Sequence, residues 1–271
     1  MSEEPVLLSS VEDHVAVLTL NRAAARNALD PELIVALAES WRRLAADDEV
    51  RAVVITGAEG STFCSGFDLA TTIPIMTGAR GPSTPYEEII AADLELLGIA
   101  TLRAFDVGKP VIAAVNGHAI AGGMELLLAC DLRIVASGVK LGLSEVGLGL
   151  IPAMGGTARL SRHLPGAVAM ELLLTAKPKL SDELAAYGLI NSLLPASEVL
   201  DGAMSLARTI AANAPLAARA ARSVARRSGD LTETEALALE ASESAALAQT
   251  DDAREGPAAF MEKRSPVFQG R

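Results

Sequence analysis

The 271-residue chain is poor in aromatics, which make up 3% of it, and it has only two cysteines. So few rings argue against a platform on which nucleic-acid bases stack. The formal charge of −11 likewise argues against a broad basic footprint for nucleic acid. Any anionic ligand must then be met locally, by helix N-termini or a few chosen Arg and Lys. Cys64 and Cys130 are too few for a disulfide framework, and their apolar settings predict buried thiols. No His/Cys/carboxylate grouping has metal-ligand spacing, so no metal is expected. No apolar run approaches the ~20 residues of a membrane span. The acidic start "MSEEPVLLSSVEDH" does not read as a signal peptide. A protein of the cytoplasm is expected.

Half of the residues are hydrophobic, enough for a sizeable core. Val15–Leu20, Ala52–Thr56 and Pro110–Val115 are apolar or β-branched at nearly every position, as in a sheet covered on both faces. Between the first two, Pro31–Ala46 reads as a helix, with Asp30 as N-cap and Pro31 in its first position. Leu33, Ile34, Leu37, Trp41 and Leu44 keep its helical period. This is the alternation of an α/β protein. Thr71–Pro85 reads as a loop leading into one helix over Tyr86–Phe105. Alanine-rich helices follow from Ala167 onward (Ala167–Thr175, Asp182–Tyr187, Ser197–Asn213, Leu216–Arg227 and Thr232–Gln249), with a short strand at Ile190–Leu193.

The chemistry concentrates in three segments. "TFCSGFDLA" (62–70) turns through Gly66, which can leave the Phe67 N–H pointing into open space. An ordinary strand-to-loop turn has the same composition. "NGHAIAGG" (116–123) ends a strand and opens a helix near Gly122, whose first-turn N–H groups lack helical partners and attract developing negative charge. Phe67 and Gly122 could thus form a two-donor oxyanion hole if the fold unites them. Glu125, succeeded by Leu126, Leu127 and Leu128, is a carboxylate in a run that should be buried. It could cap its own helix. Glu145, among Leu143, Val146 and Leu148 in the third segment, is a second such carboxylate, and could equally cap or pair with an Arg. Two carboxyls in apolar, glycine-lined segments have the makings of an acid/base site. Spacing alone does not bring them together.

At these residues the chain resembles the enoyl-CoA hydratase/isomerase (crotonase) family. The likeness runs through "LNRAAARNALD" (20–30), "FCSGFDL" (63–69), "KPVIAAVNGHAIAGGMEL" (109–126), "CDLRIVA" (130–136), "SEVGLGLIPAMGGTARL" (144–160), "AYGLINSLLP" (186–195) and "EGPAAFMEKRSPVF" (255–268). It implies a spiral of ββα repeats over residues 1–195 carrying the CoA and catalytic site. Residues 196–271 would form a helical layer for assembly into a homotrimer or a hexamer of stacked trimers. It implies an acyl-CoA substrate, coenzyme A being part of the substrate and not a separate cofactor. The thioester oxygen would lie between the N–H groups of Phe67 and Gly122. Both glutamates of the family's hydratases align, on Glu125, which would hold the water that adds to C3, and Glu145, which would exchange the proton at C2. CoA contacts are implied for Arg22, Arg26, Ala28, Asp68 and Leu69. Phe260 and Lys263 would reach the CoA of a neighbouring subunit.

The chain departs from many simple hydratases at Phe67, where they carry Ala, at Leu69–Ala70, where a lysine is more usual, and at "AMGG" (153–156) in place of "GAGG". An enoyl-CoA hydratase of fatty-acid β-oxidation, or of branched or aromatic acid breakdown, is expected. An isomerase, which typically needs one carboxylate, or a carnitinyl-CoA-type dehydratase is the alternative on the same scaffold. A non-catalytic acyl-CoA- or RNA-binding relative fits the acidic charge and paired carboxylates less well. His118 is expected to be structural, and His14 and His163 to lie at the surface. No G-x-S-x-G elbow of a serine hydrolase is present.

Overall fold

The computed structural model describes residues 4–60 and 62–271, so the first three residues of the acidic start lie outside it. The chain opens with a hairpin of β1 (Leu7–Glu12) and β2 (Val15–Leu20), continues through α1 (Pro31–Ala46) to β3 (Ala52–Gly57), and reaches β4 (Thr62–Cys64). Asp30 caps α1 by accepting the Leu33 N–H at 2.9 Å, and Pro31 opens it, as the sequence predicts. Its apolar stripe, Trp41 included, is buried.

The segment expected as a loop carries a short helix, α2 (Thr72–Met76). The helix expected over 86–105 is two, α3 (Pro85–Ala92) and α4 (Glu95–Ala100). Asp93 ends the first and turns its carboxylate to the Glu95 N–H at 3.0 Å, a local bond that competes with helix continuation. Then come β5 (Val111–Val115), β6 (His118–Ile120), α5 (Gly122–Ala129), β7 (Leu132–Ala136), β8 (Lys140–Gly142) and, after a 3-10 turn at Glu145–Leu148, α6 (Gly156–His163). The remainder is α7 (Gly166–Thr175), β9 (Lys179–Leu180), α8 (Ser181–Ala185), β10 (Ser192–Leu194), α9 (Val199–Ala211), α10 (Pro215–Ser228), α11 (Glu233–Leu247) and α12 (Asp251–Met261).

Two sheets result. One runs β1-β2-β3-β5-β7-β10, parallel except for the opening hairpin, and the other runs β4-β6-β8-β9. Successive strands alternate between them: β3 to the large sheet, β4 to the small, then β5 and β6, then β7 and β8. Each repeat thus adds one strand to each sheet before the chain turns to helix. This is the ββα spiral expected from the family likeness. Strand ends and helix starts of successive repeats stack, which is how residues 67, 122, 125 and 145 come to one place.

Helix α9 lies against the large sheet and buries Val199, Ala203, Met204, Ala207 and Ala211. Beyond it, α10 and α11 pack on each other, and α11 buries no residue of its own. Among the described residues no helix is long and apolar enough to cross a membrane.

Candidate active site

The Phe67 and Gly122 segments meet. Leu29 donates its N–H to the Gly66 carbonyl at 2.8 Å and accepts the Asp68 N–H at 3.0 Å, which pins the turn around Phe67. Gly66 has φ +92°, and a Cβ on it would stand 2.9 Å from the Gly122 nitrogen and 2.8 Å from Ala121 Cβ. Only glycine meets both demands. Neither the Phe67 N–H nor the Gly122 N–H has a hydrogen-bond acceptor among the described residues. Gly122 opens α5, where the helix supplies no partner and its dipole favours negative charge. Ala121, just before it, is held at φ 51°, ψ −124°, a conformation costly for any residue with a side chain.

Glu125 is 1% exposed. It does not cap its own helix. Its Oε1 accepts the N–H of Met154 at 2.7 Å and of Gly156 at 2.9 Å, both from the "AMGG" turn. Burial, with the negative charge of Glu145 added, pushes its carboxyl up to about 7, against the pull of those two amides and of Arg159. Glu145 begins the 3-10 turn and is half-buried. Desolvation raises its carboxyl too, and its Oε2 is shielded from water with no partner among the described residues. Glu125 thus feels the charge of Glu145, on the helix that begins with the open Gly122 N–H. Such an arrangement can hold an oxyanion, orient a water and move a proton near neutral pH.

The residues expected at the CoA nucleotide gather around one clasp. Arg22 donates to the Ala28 carbonyl at 2.6 Å and pairs with Asp30 at 3.0 Å and Asp68 at 3.6 Å. Asp68 in turn accepts the Ala70 and Thr71 N–H groups. Arg26 and Leu69 face solvent and Ala28 is buried. Phe260 and Lys263 stand exposed at the end of α12 and touch none of these residues.

His118 accepts the Lys140 N–H at 3.0 Å, a structural bond, and Cys64 and Cys130 are buried, with thiols pushed up to about 12 by desolvation. His14 is part-exposed and His163 exposed. The His163 ring nonetheless meets Arg133 at 3.2 Å, and with burial that charge pushes it down to about 4. Among the described residues no group of three His, Cys, Asp or Glu could hold a metal.

Sequence reasoning missed two parts of this site. One is the pair of amides that hold Glu125: "AMGG" was legible as a departure from "GAGG", not as a donor turn. The other is Arg133, buried at the far end of α5. It donates to the carbonyls of Leu127, Leu128, Cys130 and Leu189, satisfying the last acceptors of the helix that carries Glu125.

Comparison with known proteins shows the family. The family described as enoyl-CoA hydratase/isomerase matches residues 10–271. An (E)-benzylidenesuccinyl-CoA hydratase of Thauera aromatica is 38% identical, with 98% of this chain and 99% of that protein covered. An enoyl-CoA hydratase of Mycobacterium tuberculosis is also 38% identical, covering 98% and 97%. The solved structure of an enoyl-CoA hydratase from Mycobacterium marinum superposes with a TM-score of 0.88 at 35% identity, over 99% of this chain and 100% of that one. With paired carboxylates and two open amides set on a two-sheet ββα spiral, the chain belongs to the enoyl-CoA hydratase/isomerase, or crotonase, family.

Proposed function

We propose that the protein is an enoyl-CoA hydratase whose chemistry runs through Glu125 and Glu145. The observation that carries this reading is the buried Glu125 carboxyl, held by the Met154 and Gly156 amides on the helix whose first amide, that of Gly122, stands open beside the Phe67 segment. The thioester carbonyl of a 2-enoyl-CoA lies between these two N–H groups. Water held by the carboxylates forms a bond to C3, and the C2–C3 π pair moves onto the thioester oxygen as an enolate. The two amides stabilise that charge where it develops, without reorganising.

Glu125, as carboxylate, takes the water's proton, and Glu145, protonated, gives its own to C2. The pair holds one proton before and after, and passing it back through the next water resets the site. Burial and, after it, the negative charge of Glu145 raise Glu125, which lets the pair hold one proton near neutral pH.

The exposed, alanine-rich C-terminal helices support assembly into a trimer or hexamer. A groove of about 500 Å³ between α10 and α11 is walled by Ala217, Val224, Leu237 and Leu247. Phe260, 82% exposed, and Met261, 79% exposed, project close by in sequence, too much apolar surface for an isolated chain to leave wet. In such an assembly Phe260 and Lys263 reach a neighbour's CoA, while Arg26, Asp68 and Leu69 lie along the nucleotide of the same subunit. The cytoplasm is the compartment that fits an acyl-CoA substrate.

A panel of 2-enoyl-CoA esters of varied chain length and branching tests the reading, by loss of the conjugated enoyl-thioester absorbance. Hydration of at least one is expected. Double-bond migration without water uptake would replace the reading with an isomerase.

A further inference from the structure

The turn that holds Glu125 is itself held, by Arg159. Gly155 sits between the two donor residues with φ +105°, and a Cβ on it would lie 2.7 Å from Arg159 Nη1 and 3.1 Å from Cζ. The guanidinium therefore lies directly against the turn. Its Nη2 donates to the Leu102 carbonyl at 2.7 Å. Leu102 is buried and has φ +55°, so this bond fixes a backbone that would otherwise relax. Nη1 is shielded from solvent and has no hydrogen-bond partner among the described residues.

A desolvated guanidinium without an ion-pair partner is expensive. Among the described residues Arg159 makes no salt bridge, and the one carboxylate whose charge it feels is Glu125. The other titratable groups it faces are Arg226, paired with Asp131 at 2.9 Å, the Cys130 thiol, Arg103 and His163. Glu125 meets the charges of Glu145 and Arg159, with the Met154 and Gly156 amides.

We propose that Arg159 is a positioning residue for Glu125. Its guanidinium braces the 153–156 turn against the Leu102 carbonyl, and its unpaired charge favours Glu125 as the carboxylate that accepts a proton. Burial and Glu145 drive Glu125 toward the neutral acid, and Arg159 opposes them, so that the group remains usable as a base. The proton-accepting half of this assignment rests on the hydratase reading. The effect on Glu125 itself does not.

Two variants separate charge from bracing. Arg159→Gln removes the charge and is too short to reach the Leu102 carbonyl, and Arg159→Lys keeps the charge and removes the fork. Glu125 is titrated in the folded oligomer by infrared difference spectroscopy, its protonated-carboxyl band assigned by loss in Glu125→Gln. In Arg159→Gln the proton should leave Glu125 at a pH higher by about one unit, the size expected on losing a nearby opposite charge. Arg159→Lys should stay near wild type. In the hydration assay Arg159→Gln should lose about tenfold in kcat/KM at neutral pH and recover at alkaline pH.

Unchanged titration in Arg159→Gln, or equal displacement in both variants, overturns the proposal. So does a loss of activity that is the same at every pH. A wild-type protein that hydrates no enoyl-CoA would remove the hydratase reading, while the infrared titration would still decide the role of Arg159.

Discussion

Glu125 Oε1 and the amide of Gly156 lie 2.9 Å apart, a bond that depends on residue 156 having no side chain. A Cβ there would stand 3.0 Å from that same oxygen and 2.8 Å from Pro152 Cβ. Gly156→Ala should therefore push the Glu125 carboxylate out of its cradle. Overpacking of this kind costs ~1–3 kcal/mol. Activity should fall by more than ~10-fold, as a displaced general base would. Wild-type kinetics in this variant would mean that the cradle does not position Glu125.

The two carboxylates themselves should be separable from binding. Glu145→Gln removes the proton carrier and Glu125→Gln the water's acceptor, so each should lower kcat by at least ~10²-fold. CoA affinity, measured calorimetrically with a saturated acyl-CoA, should hardly change in either. Near-wild-type hydration by both variants would dispose of the two-carboxylate mechanism.

The pH dependence has a definite sign. The Glu125 carboxyl, ordinarily near 4.5, titrates in the fold near about 7. Between those values the folded protein keeps a proton that the unfolded chain releases. Stability therefore falls as pH rises from about 4.5 through about 7, and Glu145, also raised, adds in the same direction. Glu125→Gln should melt above wild type at alkaline pH, and the gap should close below the ordinary carboxylate range. Wild-type kcat/KM should instead peak near neutral pH, rising as the pair goes from two protons to one and falling as the last proton leaves. Melting curves whose separation does not vary with pH would contradict the raised carboxyl.

Element length explains why part of the fold was legible in the sequence. The β2–α1–β3 unit can be read from periodicity, because Val15–Leu20 and Pro31–Ala46 are long enough for a pattern and carry their own cap. The small sheet could not be read, since β4, β6 and β8 have three residues each, too few to alternate. Its strands exist by pairing with each other. Glu125 and Glu145 stand out because a carboxylate in an apolar run is conspicuous. Met154 and Gly156 do not, because a backbone amide carries no side-chain signature. The positive charge of Arg133 gives no hint that four backbone carbonyls need it.

Arg133 offers a test of that hidden support. Arg133→Met keeps most of the apolar volume but leaves the carbonyls of Leu127, Leu128, Cys130 and Leu189 buried without this donor. Unsatisfied buried acceptors cost ~1–3 kcal/mol each when no water replaces the donor. A loss of at least ~2 kcal/mol in denaturant titration is expected. A midpoint unchanged from wild type would show that the cap contributes nothing net.

Neighbouring glycines should fail in different ways, and this bears on the oxyanion hole. Gly123 packs onto β4, where a Cβ would stand far inside contact distance of the Cys64 carbonyl and 2.8 Å from Cys64 Cβ. Gly122 is different. A Cβ there would meet only the Phe67 ring at 3.3 Å and Gly66 Cα at 3.4 Å, and its φ lies outside the left-handed region. Its requirement for glycine is thus space beside the amide, not backbone freedom. Gly123→Ala should lower the melting temperature, because backbone must move. Gly122→Val should retain most of its stability, yet its branched side chain enters the space where a thioester oxygen would approach the Gly122 and Phe67 amides. Losing one such donor costs ~10²–10³-fold in rate in other enzymes, and blocking access should cost at least that. Binding of CoA without an acyl group should survive in Gly122→Val, since the proposed nucleotide contacts at Arg26, Asp68 and Leu69 do not involve the Gly122 amide. A folded, fully active Gly122→Val protein would remove the hole from the mechanism, and equal destabilisation by both substitutions would make Gly122 a packing residue like its neighbour.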